Sequence, residues 1–199
     1  MPSPIDQSRY QVRFEWGVAG LARLAPADVV VLVDVLLETT RITDAVARGE
    51  SVPVPAALTD AVAAAGDALV LAAGLRNASA VAREVLAEQQ RRADRTSVAI
   101  IALGDPAGDG VRFTVEDQFG AGAVVDALGA LGIDHTSPET AAAGEAFRGL
   151  RRALRHLLTA SGSGQALLDA DRRDEVLAAA EVDAVEAVPV LRDGVFTAA

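Results

Sequence analysis

The feature that most constrains the fold of this chain is a set of short apolar runs, each followed by a segment with helical spacing. The runs are "DVVVLVDV" (28–35), "DALVLAAG" (67–74) and "SVAIIALG" (97–104). Continuous apolar, β-branched runs are typical of strands covered on both faces. Strands that alternate with helices favour a mostly parallel sheet between helix layers. The pattern therefore predicts an α/β fold.

Weaker patterns predict the remaining elements. "YQVRFEWG" alternates apolar and polar residues, so a half-buried strand is expected to end at Gly17. Asn77 or Ser79 is expected to cap the helix that follows the second apolar run. A loop, 104–110, is expected to lead into the short strand "VRFTV", and "RDG" (192–194) to form a turn between two strands near the end. Helices are predicted over 38–49, 56–65, 75–94, 116–132, 137–161 and 165–181, with "SGSG" (161–164) as a flexible interruption.

Length and charge restrict the class of protein. A chain of 199 residues predicts one domain, 1–199, with a substantial core. It has no cysteine and every basic residue is arginine, which excludes thiolate sites, Schiff-base lysines and a P-loop lysine. The formal charge of −10 argues against binding to nucleic acid or to an anionic membrane. The N-terminal segment "MPSPIDQSRYQVRFEW" does not resemble a signal peptide, so a cytoplasmic location is expected.

Asp34 is the carboxylate inside the apolar part of "VVVLVDVLLETT", a segment that ends in a Glu and two threonines, and it lies where a central strand is expected to end. Ligands of open α/β sheets bind at the carboxyl ends of strands. Thr39 and Thr40 lie at the start of the next helix, where free amides and the helix dipole favour an anion. An Asp at such a point is an oxygen ligand suited to Mg²⁺. The alternative is that Asp34 only caps the following turn.

Glu116 and Asp117 form an acidic pair between the short strand and the next helix. They are candidate functional carboxylates, although acidic residues are common at helix starts because they complement the dipole. Gly120 and Gly122 lower helix propensity in the same segment, which indicates close packing or a nearby ligand.

A second group of candidates follows the second apolar run. Arg76, Asn77 and Ser79 offer a guanidinium and helix-start donors that suit a phosphate or sulfonate, although capping explains Asn77 and Ser79 equally well. Neither His135 nor His156 belongs to a metal-spaced cluster or a serine triad. The arginine stripe at 148, 151, 152 and 155 is interpreted as a solvated face, with an anion site or a homodimer interface as the alternatives.

Four motifs in this order resemble the 2-phosphosulfolactate phosphatase family of coenzyme M biosynthesis: "RFEWGVAG", "VVVLVDVLLETT", "LRNASAVA" and "RFTVEDQFGAGAVVDAL". The resemblance runs from about Tyr10 to the C-terminal "AVPVLRDGVF". It implies a three-layer α/β/α fold and Mg²⁺-dependent hydrolysis of the phosphate ester of a small anionic substrate. It also implies Asp34, Glu116 and Asp117 as catalytic and metal carboxylates, with Thr39, Thr40, Arg76, Asn77 and Ser79 around the phosphate or sulfonate.

The chain departs from the family pattern at two places. Leu37 and Glu38 stand where the family usually has Arg or Ser and a small residue, and Arg41 replaces a hydroxyl or apolar residue. The family's Asn-Gly-Thr/Ser loop ahead of the "RNASA" segment is missing, which would weaken phosphoryl transfer if that loop supplies amides to the oxyanion. The alternative to a phosphatase is therefore a catalytically degenerate relative that acts as an anion-binding or regulatory module.

Overall fold

A seven-stranded mixed sheet forms the centre of the protein. The computed structural model describes residues 3–107 and 110–199. The strands are β1 (Val12–Trp16), β2 (Val29–Val33), β3 (Val52–Pro53), β4 (Leu69–Ala73), β5 (Val98–Ala102), β6 (Asp105–Ala107), β7 (Gly110–Arg112), β8 (Pro189–Arg192) and β9 (Val195–Ala198). The large sheet has the order β1-β5-β2-β4-β8-β9-β3, and β6 and β7 form a separate hairpin.

The four strands built from the apolar runs and "VRFEW" are mutually parallel. Val29 of β2 lies opposite Val98 on one side and Leu69 on the other, so the three central strands begin and end level with one another. The remaining strands are antiparallel to their neighbours. The predicted "RDG" turn is confirmed, because Asp193 and Gly194 both have positive φ between β8 and β9, as a two-residue hairpin loop of this kind requires.

Helices cover both faces of the sheet, which confirms the three-layer α/β/α fold. Alternate residues of β2 point to opposite faces, so Val31 joins one apolar core and Leu32 the other. No helix in the described part of the chain combines the length and apolarity needed to cross a bilayer. One face carries α1 (Gly17–Arg23), α2 (Glu38–Ala47) and α3 (Thr59–Ala64); the other carries α4 (Ala78–Arg92), α5 (Val115–Ala130), α6 (Pro138–Leu150), α7 (Leu154–Ala160), α8 (Gly162–Asp169) and α9 (Arg173–Ala179).

Several local predictions were wrong. The helix expected over 165–181 is divided into α8 and α9, and the strand expected as "VRFTV" ends at Arg112, because α5 begins at Val115. The helix expected over 137–161 breaks at the 3-10 turn Arg151–Ala153. "SGSG" is not a flexible interruption, because Gly162 begins α8 and the Ser161 hydroxyl caps this helix by accepting from the amide of Gly164 at 3.0 Å. The expected 104–110 loop contains β6 and the start of β7, while Gly108 and Asp109 lie outside the described residues.

The order of the strands creates a crevice between β2 and β5. These neighbours are parallel, yet the chain leaves β2 for α2 on one face and leaves β5, by way of the β6–β7 hairpin, for α5 on the other. Such a reversal leaves space outside the carboxyl ends of the two strands, where α/β proteins bind ligands. We call this end of the sheet the carboxyl edge, and its opposite end the amino edge.

Candidate active site

Asp117 fastens the ends of β2 and β5 together across the crevice. Its Oδ1 accepts from the amide of Val35 at 2.7 Å. Its Oδ2 accepts from the amide of Gly104 at 2.9 Å and from the hydroxyl of Thr114 at 2.8 Å. The residue is buried, so these three donors replace the water that an ionised carboxylate would otherwise bind. Asp117 thus fixes the spacing of two strands that are distant in sequence.

Asp34 lies at the same edge, directly after β2. It is 9% exposed, and its Oδ2 accepts from the amide of Glu38 at 3.2 Å, at the start of α2. This bond fits the alternative interpretation, in which Asp34 caps the following turn. Within residues 3–107 and 110–199, however, no donor reaches Oδ1. One oxygen of this buried carboxylate is therefore available to a ligand.

Glu116 is the most unusual side chain at the carboxyl edge. It is 2% exposed, and its Oε2 is buried with no hydrogen-bond partner among the described residues. Leaving a buried carboxylate oxygen unpaired is costly, and native proteins rarely do so without a ligand or a functional reason. Its negative charge raises the pKa values of Asp34 and Asp117, which places all three carboxyl groups in one electrostatic neighbourhood.

Burial and mutual repulsion make the carboxyl edge a site that retains a proton. Burial, together with the negative charges of Glu38, Asp105 and Glu116, raises the pKa of Asp34 to about 7, although the hydrogen bond from the amide of Glu38 opposes the shift. Burial, and then the charge of Asp34, also raises the pKa of Asp117. Because Asp117 accepts three hydrogen bonds and Asp34 only one from an amide, we assign the retained proton to Asp34.

The two threonines hold the turn after Asp34. Thr39 is fully buried; its hydroxyl donates to the carbonyl of Ala73 at 2.7 Å and accepts from the amide of Asp34 at 2.9 Å. The hydroxyl of Thr40 donates to the carbonyl of Val35 at 2.6 Å. Thr39 thereby joins the ends of β2 and β4, and both hydroxyls act on the backbone around Asp34.

Arg76 is held by other protein groups rather than directed at an open pocket. Its Nε lies 2.9 Å from a carboxylate oxygen of Asp44, and its Nη1 lies 2.7 Å from the carbonyl of Ala178 and 3.3 Å from a carboxylate oxygen of Glu181. The side chain is 13% exposed. These contacts tie the turn after β4 to α2 and to the end of α9.

The expected capping of α4 by Asn77 or Ser79 was wrong. Neither side chain makes a capping bond at the start of α4. The side chain of Asn77 accepts from the amide of Gly74 at 3.0 Å and donates to the carbonyl of Ala72 in β4 and to that of Ala187 just before β8. The hydroxyl of Ser79 donates to Asp183 at 2.7 Å, and Asp183 also accepts from the Ser79 amide. A carboxylate more than one hundred residues away therefore takes the capping role that Ser79 was expected to have.

Backbone amides provide the free donors of the carboxyl edge. In the part of the chain that the structure describes, the N–H groups of Leu36 and Leu37 donate to no acceptor. They lie between Asp34 and the first residue of α2, a position where amides and the helix dipole favour an anion. Potential cation ligands and potential anion donors thus occupy the same turn.

The comparison with protein families decides the identity at family level. The family model described as 2-phosphosulpholactate phosphatase matches residues 56–194 of the 199. The chain belongs to the 2-phosphosulpholactate phosphatase family. The family is one of phosphatases, so the protein is placed among phosphoric monoester hydrolases. No curated protein matches the chain.

The match covers the acidic pair and the "LRNASA" segment of this phosphatase-family member, but it begins after the turn that carries Asp34. The structure connects this turn to the matched segment, because Asp117 accepts a hydrogen bond from the amide of Val35, the residue that follows Asp34. The turn outside the matched range is therefore part of the same edge as the matched acidic pair.

Sequence reasoning missed three contributors to this edge of the phosphatase-family member. Glu38 and Asp105 add negative charge around Asp34, and Thr114 donates to Asp117. Asp105 forms an ion pair with Arg112 across the β6–β7 hairpin. A signal for Thr114 existed, because a hydroxyl residue followed three positions later by an acid is a common helix-start pattern.

The two glycines of α5 are explained by close packing. A Cβ on Gly120 would lie 2.5 Å from Cγ2 of Val35, and one on Gly122 would lie 2.2 Å from the carbonyl oxygen of Ala143. Either contact is shorter than van der Waals distance, so a larger residue would push α5 away from β2 or from α6. Of the two explanations considered from sequence, packing is the one that the structure bears out.

Proposed function

We propose that the protein is a Mg²⁺-dependent phosphatase that hydrolyses the phosphate ester of a small acid such as 2-phosphosulfolactate. The observation that carries the proposal is the buried, unpartnered Oε2 of Glu116 beside Asp34, at the crevice between β2 and β5. Family membership supports the reaction class, and the carboxyl edge supports the site.

The carboxylates fit a magnesium ion of the kind found in phosphoryl-transfer sites. The described residues contain no group of three or more His, Cys, Asp or Glu side chains arranged to hold a metal. Mg²⁺ commonly uses one or two carboxylates and completes its shell with water and substrate phosphate. Among the described residues, no donor reaches the buried Oε2 of Glu116 or the Oδ1 of Asp34. We therefore assign these two residues as ligands.

Asp117 takes a different role in this proposal. Both of its oxygens already accept from amides or a hydroxyl, which leaves it poorly placed to bind a cation directly. It holds Val35 and Gly104 in place, and so sets the position of Asp34 relative to Glu116. Of the three carboxylates predicted as metal ligands, Asp117 becomes the positioning residue.

The turn between Asp34 and α2 supplies the substrate donors. The amides of Leu36 and Leu37 and the start of α2 would bind oxygens of the substrate phosphate. A bound Mg²⁺ would supply neutralisation of the phosphate charge. Because burial raises the pKa of Asp34 to about 7, Asp34 would release its proton near neutral pH to hold the cation. Thr39 and Thr40 keep the turn in the geometry that these contacts need.

Release of inorganic phosphate from a panel of phosphorylated hydroxy acids, with and without Mg²⁺, tests the proposal. We expect Mg²⁺-dependent turnover in the wild type and its loss in Asp34→Ala. Asp126→Asn is the matched control, since Asp126 lies on α5 and forms an ion pair with Arg148 away from the crevice. Turnover that is unaffected by Asp34→Ala, or by removal of Mg²⁺, would refute the assignment.

One observation favours a second candidate, a degenerate relative that binds anions without turnover. Arg76, Asn77 and Ser79, three of the five side chains predicted to contact the substrate, are engaged by other protein groups. The same assay separates the two candidates. Mg²⁺-dependent binding of sulfolactate without phosphate release from any ester would favour the second.

A further inference from the structure

A second charged pocket lies at the amino edge of the sheet, opposite the carboxylates. Its volume is about 140 Å³, which is enough for several water molecules or one small oxyanion. It is lined by Ser8, Arg9, Tyr10, Arg13, Arg95 and Ser97, which come from the segment before β1, from β1 itself and from the segment before β5. We call it the arginine pocket. Neither the family match nor the proposed reaction assigns it a role.

Arg13 is the buried member of the arginine pocket. It is 6% exposed, and its Nε donates to the carbonyl of Tyr10 at 3.0 Å. Its Nη1 donates to the carbonyls of Ala25 and Pro26 at 2.8 and 3.1 Å. Its Nη2 has no acceptor, and the side chain has no salt bridge, in the described ranges 3–107 and 110–199. A buried guanidinium without a carboxylate is uncommon, because three neutral carbonyls do not balance its charge.

The nearest acids are engaged elsewhere. Burial lowers the pKa of Arg13, and the negative charges of Asp6 and Asp28 oppose that shift from a distance. The carboxylate of Asp28 is taken by the amide and hydroxyl of Ser97 and by an ion pair with Arg92. Asp6 accepts from the amide of Ser8 at 2.8 Å. Neither acid therefore closes the pocket with a direct ion pair to Arg13.

The other two arginines are exposed and also lack an acidic partner. Nε of Arg95 donates to the side-chain oxygen of Gln11 at 3.2 Å, and its Nη2 lies 2.6 Å from Nδ1 of His135. Neither Arg9 nor Arg95 forms a salt bridge with any described carboxylate, whereas most arginines of the chain do. In a protein with a net charge of −10, three cations without acidic partners around one pocket need an explanation.

We propose that the arginine pocket binds one small tetrahedral oxyanion of the phosphate type. Guanidinium groups present pairs of N–H donors that match two oxygens of such an anion. Arg13 supplies a fixed, buried Nη2, and the exposed side chains of Arg9 and Arg95 close over the anion from the solvent side. Ser8 and Tyr10 carry hydroxyl donors at the same pocket. The site is independent of Mg²⁺ and is separated from the carboxyl edge by the length of the central strands.

Calorimetric titration with inorganic phosphate in the presence of EDTA tests this site. We expect one saturable site in the wild type and about tenfold weaker binding in Arg95→Gln, the loss expected when one charge-assisted contact is removed. Arg13→Gln should weaken binding at least as much. Because Arg13 is buried and its loss could unfold the protein, the exposed Arg95 provides the decisive variant.

Two controls locate the binding. Arg173→Gln removes an exposed arginine of α9 that lies outside the pocket, and Asp34→Asn alters the carboxyl edge; both should bind phosphate like the wild type. The absence of saturable phosphate binding would overturn the proposal. So would an equal weakening in Arg173→Gln, which would indicate nonspecific attraction, or a change in Asp34→Asn, which would place the anion at the active site.

Parallel titrations identify the anion class. Phosphate, a tetrahedral dianion near neutral pH, should bind more tightly than methanesulfonate, and acetate should bind most weakly. Equal affinity for acetate and phosphate would contradict a site for tetrahedral oxyanions, because the planar monoanion cannot meet three guanidinium groups in the same way.

Discussion

The two ends of the central strands carry opposite charges: carboxylates lie at the carboxyl edge and arginines at the amino edge. At the carboxyl edge, the buried carboxyl groups of Asp34, Glu116 and Asp117 lie near one another, and one oxygen of Glu116 has no partner in the part of the chain that the structure describes. At the amino edge, Arg9, Arg13 and Arg95 surround a small pocket without acidic partners in the described chain. The difference teaches that the net charge of −10 does not describe either end. One edge suits a cation with a phosphate, and the other suits an anion alone.

The two edges also differ in how tightly the backbone is held. Asp117 joins the residues after β2 and β5, and Thr39 joins the ends of β2 and β4. At the amino edge, two of the three arginines are exposed, and they contact neutral partners or none. Active sites need carboxylates in fixed positions, whereas a simple anion site tolerates mobile cations.

The largest expected effect tests whether catalysis belongs to the carboxyl edge. Asp34→Asn should lower kcat/KM for phosphate-ester hydrolysis at least about 100-fold, because the variant removes a charge that would hold the metal. Steady-state phosphate release in Mg²⁺ measures it. Arg95→Gln, at the amino edge, should leave kcat/KM unchanged. A comparable loss of kcat/KM in both variants would contradict the assignment of catalysis to the carboxyl edge alone.

The second effect concerns the hydrogen bonds by which Asp117 joins the ends of β2 and β5. Asp117→Asn keeps the shape of the side chain but replaces one accepting oxygen with an N–H₂ group, which faces a backbone or hydroxyl donor. Because two donors then face each other, we expect the free energy of unfolding to fall by about 2–4 kcal/mol. Chemical denaturation measures the loss, and Asp126→Asn on the same helix should cost less than about 1 kcal/mol. Equal stability of the two variants would show that the hydrogen bonds of Asp117 do not stabilise the carboxyl edge.

The third effect is the pH dependence of stability without metal. Burial raises the pKa of Asp34 from 3.8 to about 7, so between these values the folded protein keeps a proton that the unfolded chain releases. This group's contribution to stability is complete below about pH 4 and is lost as the pH rises through 7. In EDTA we expect a decline on the order of 4 kcal/mol between pH 4 and 7.5 from this group.

Thermal unfolding of wild type and Asp34→Asn across this range isolates the contribution of Asp34. The stability of the variant should decrease much less as the pH rises. A smaller decrease should remain, because the pKa of Asp117 is also raised. Acids with lowered pKa values, such as Asp28, act below this window and do not obscure it. Parallel pH profiles for the two proteins would contradict a retained proton at Asp34.

The smallest effect tests how closely α5 must approach its neighbours to place the acidic pair. Gly122→Ala should destabilise by about 1–3 kcal/mol, because its Cβ would collide with the carbonyl of Ala143. Gly129→Ala, in the same helix with no atom within 4 Å of the added Cβ, should stabilise by about 0.5–1 kcal/mol. Equal shifts of the two variants in a denaturant titration would show that helix propensity, not packing, controls α5.

The sequence predicted the strands well, because "DVVVLVDV", "DALVLAAG" and "SVAIIALG" can only be buried between two layers. It also predicted that Asp34 lies at the end of its strand, and β2 does end at Val33. It could not show that β5 lies between β1 and β2, since strand order depends on contacts between distant segments. For that reason the bond from Val35 to Asp117, between residues 82 positions apart, had no sequence signal.

The acidic pair shows the same limit at shorter range. Glu116 and Asp117 look equivalent in sequence, yet successive helix residues point about 100° apart. Asp117 therefore meets the ends of β2 and β5, while Glu116 is left with an unpartnered oxygen. Arg76 illustrates the opposite error: a guanidinium at a promising position is taken by Asp44 and Glu181, which come from other parts of the chain.

Calorimetric titration with Mg²⁺ at neutral pH, without substrate, tests the central claim most directly. We expect one site in the wild type, binding at least about tenfold weaker in Glu116→Gln, and unchanged binding in Asp126→Asn. Proton release on binding should depend on Asp34, because cation binding displaces its retained proton. Equal Mg²⁺ affinity in the wild type and Glu116→Gln, or no binding in either, would contradict a metal site at the carboxyl edge.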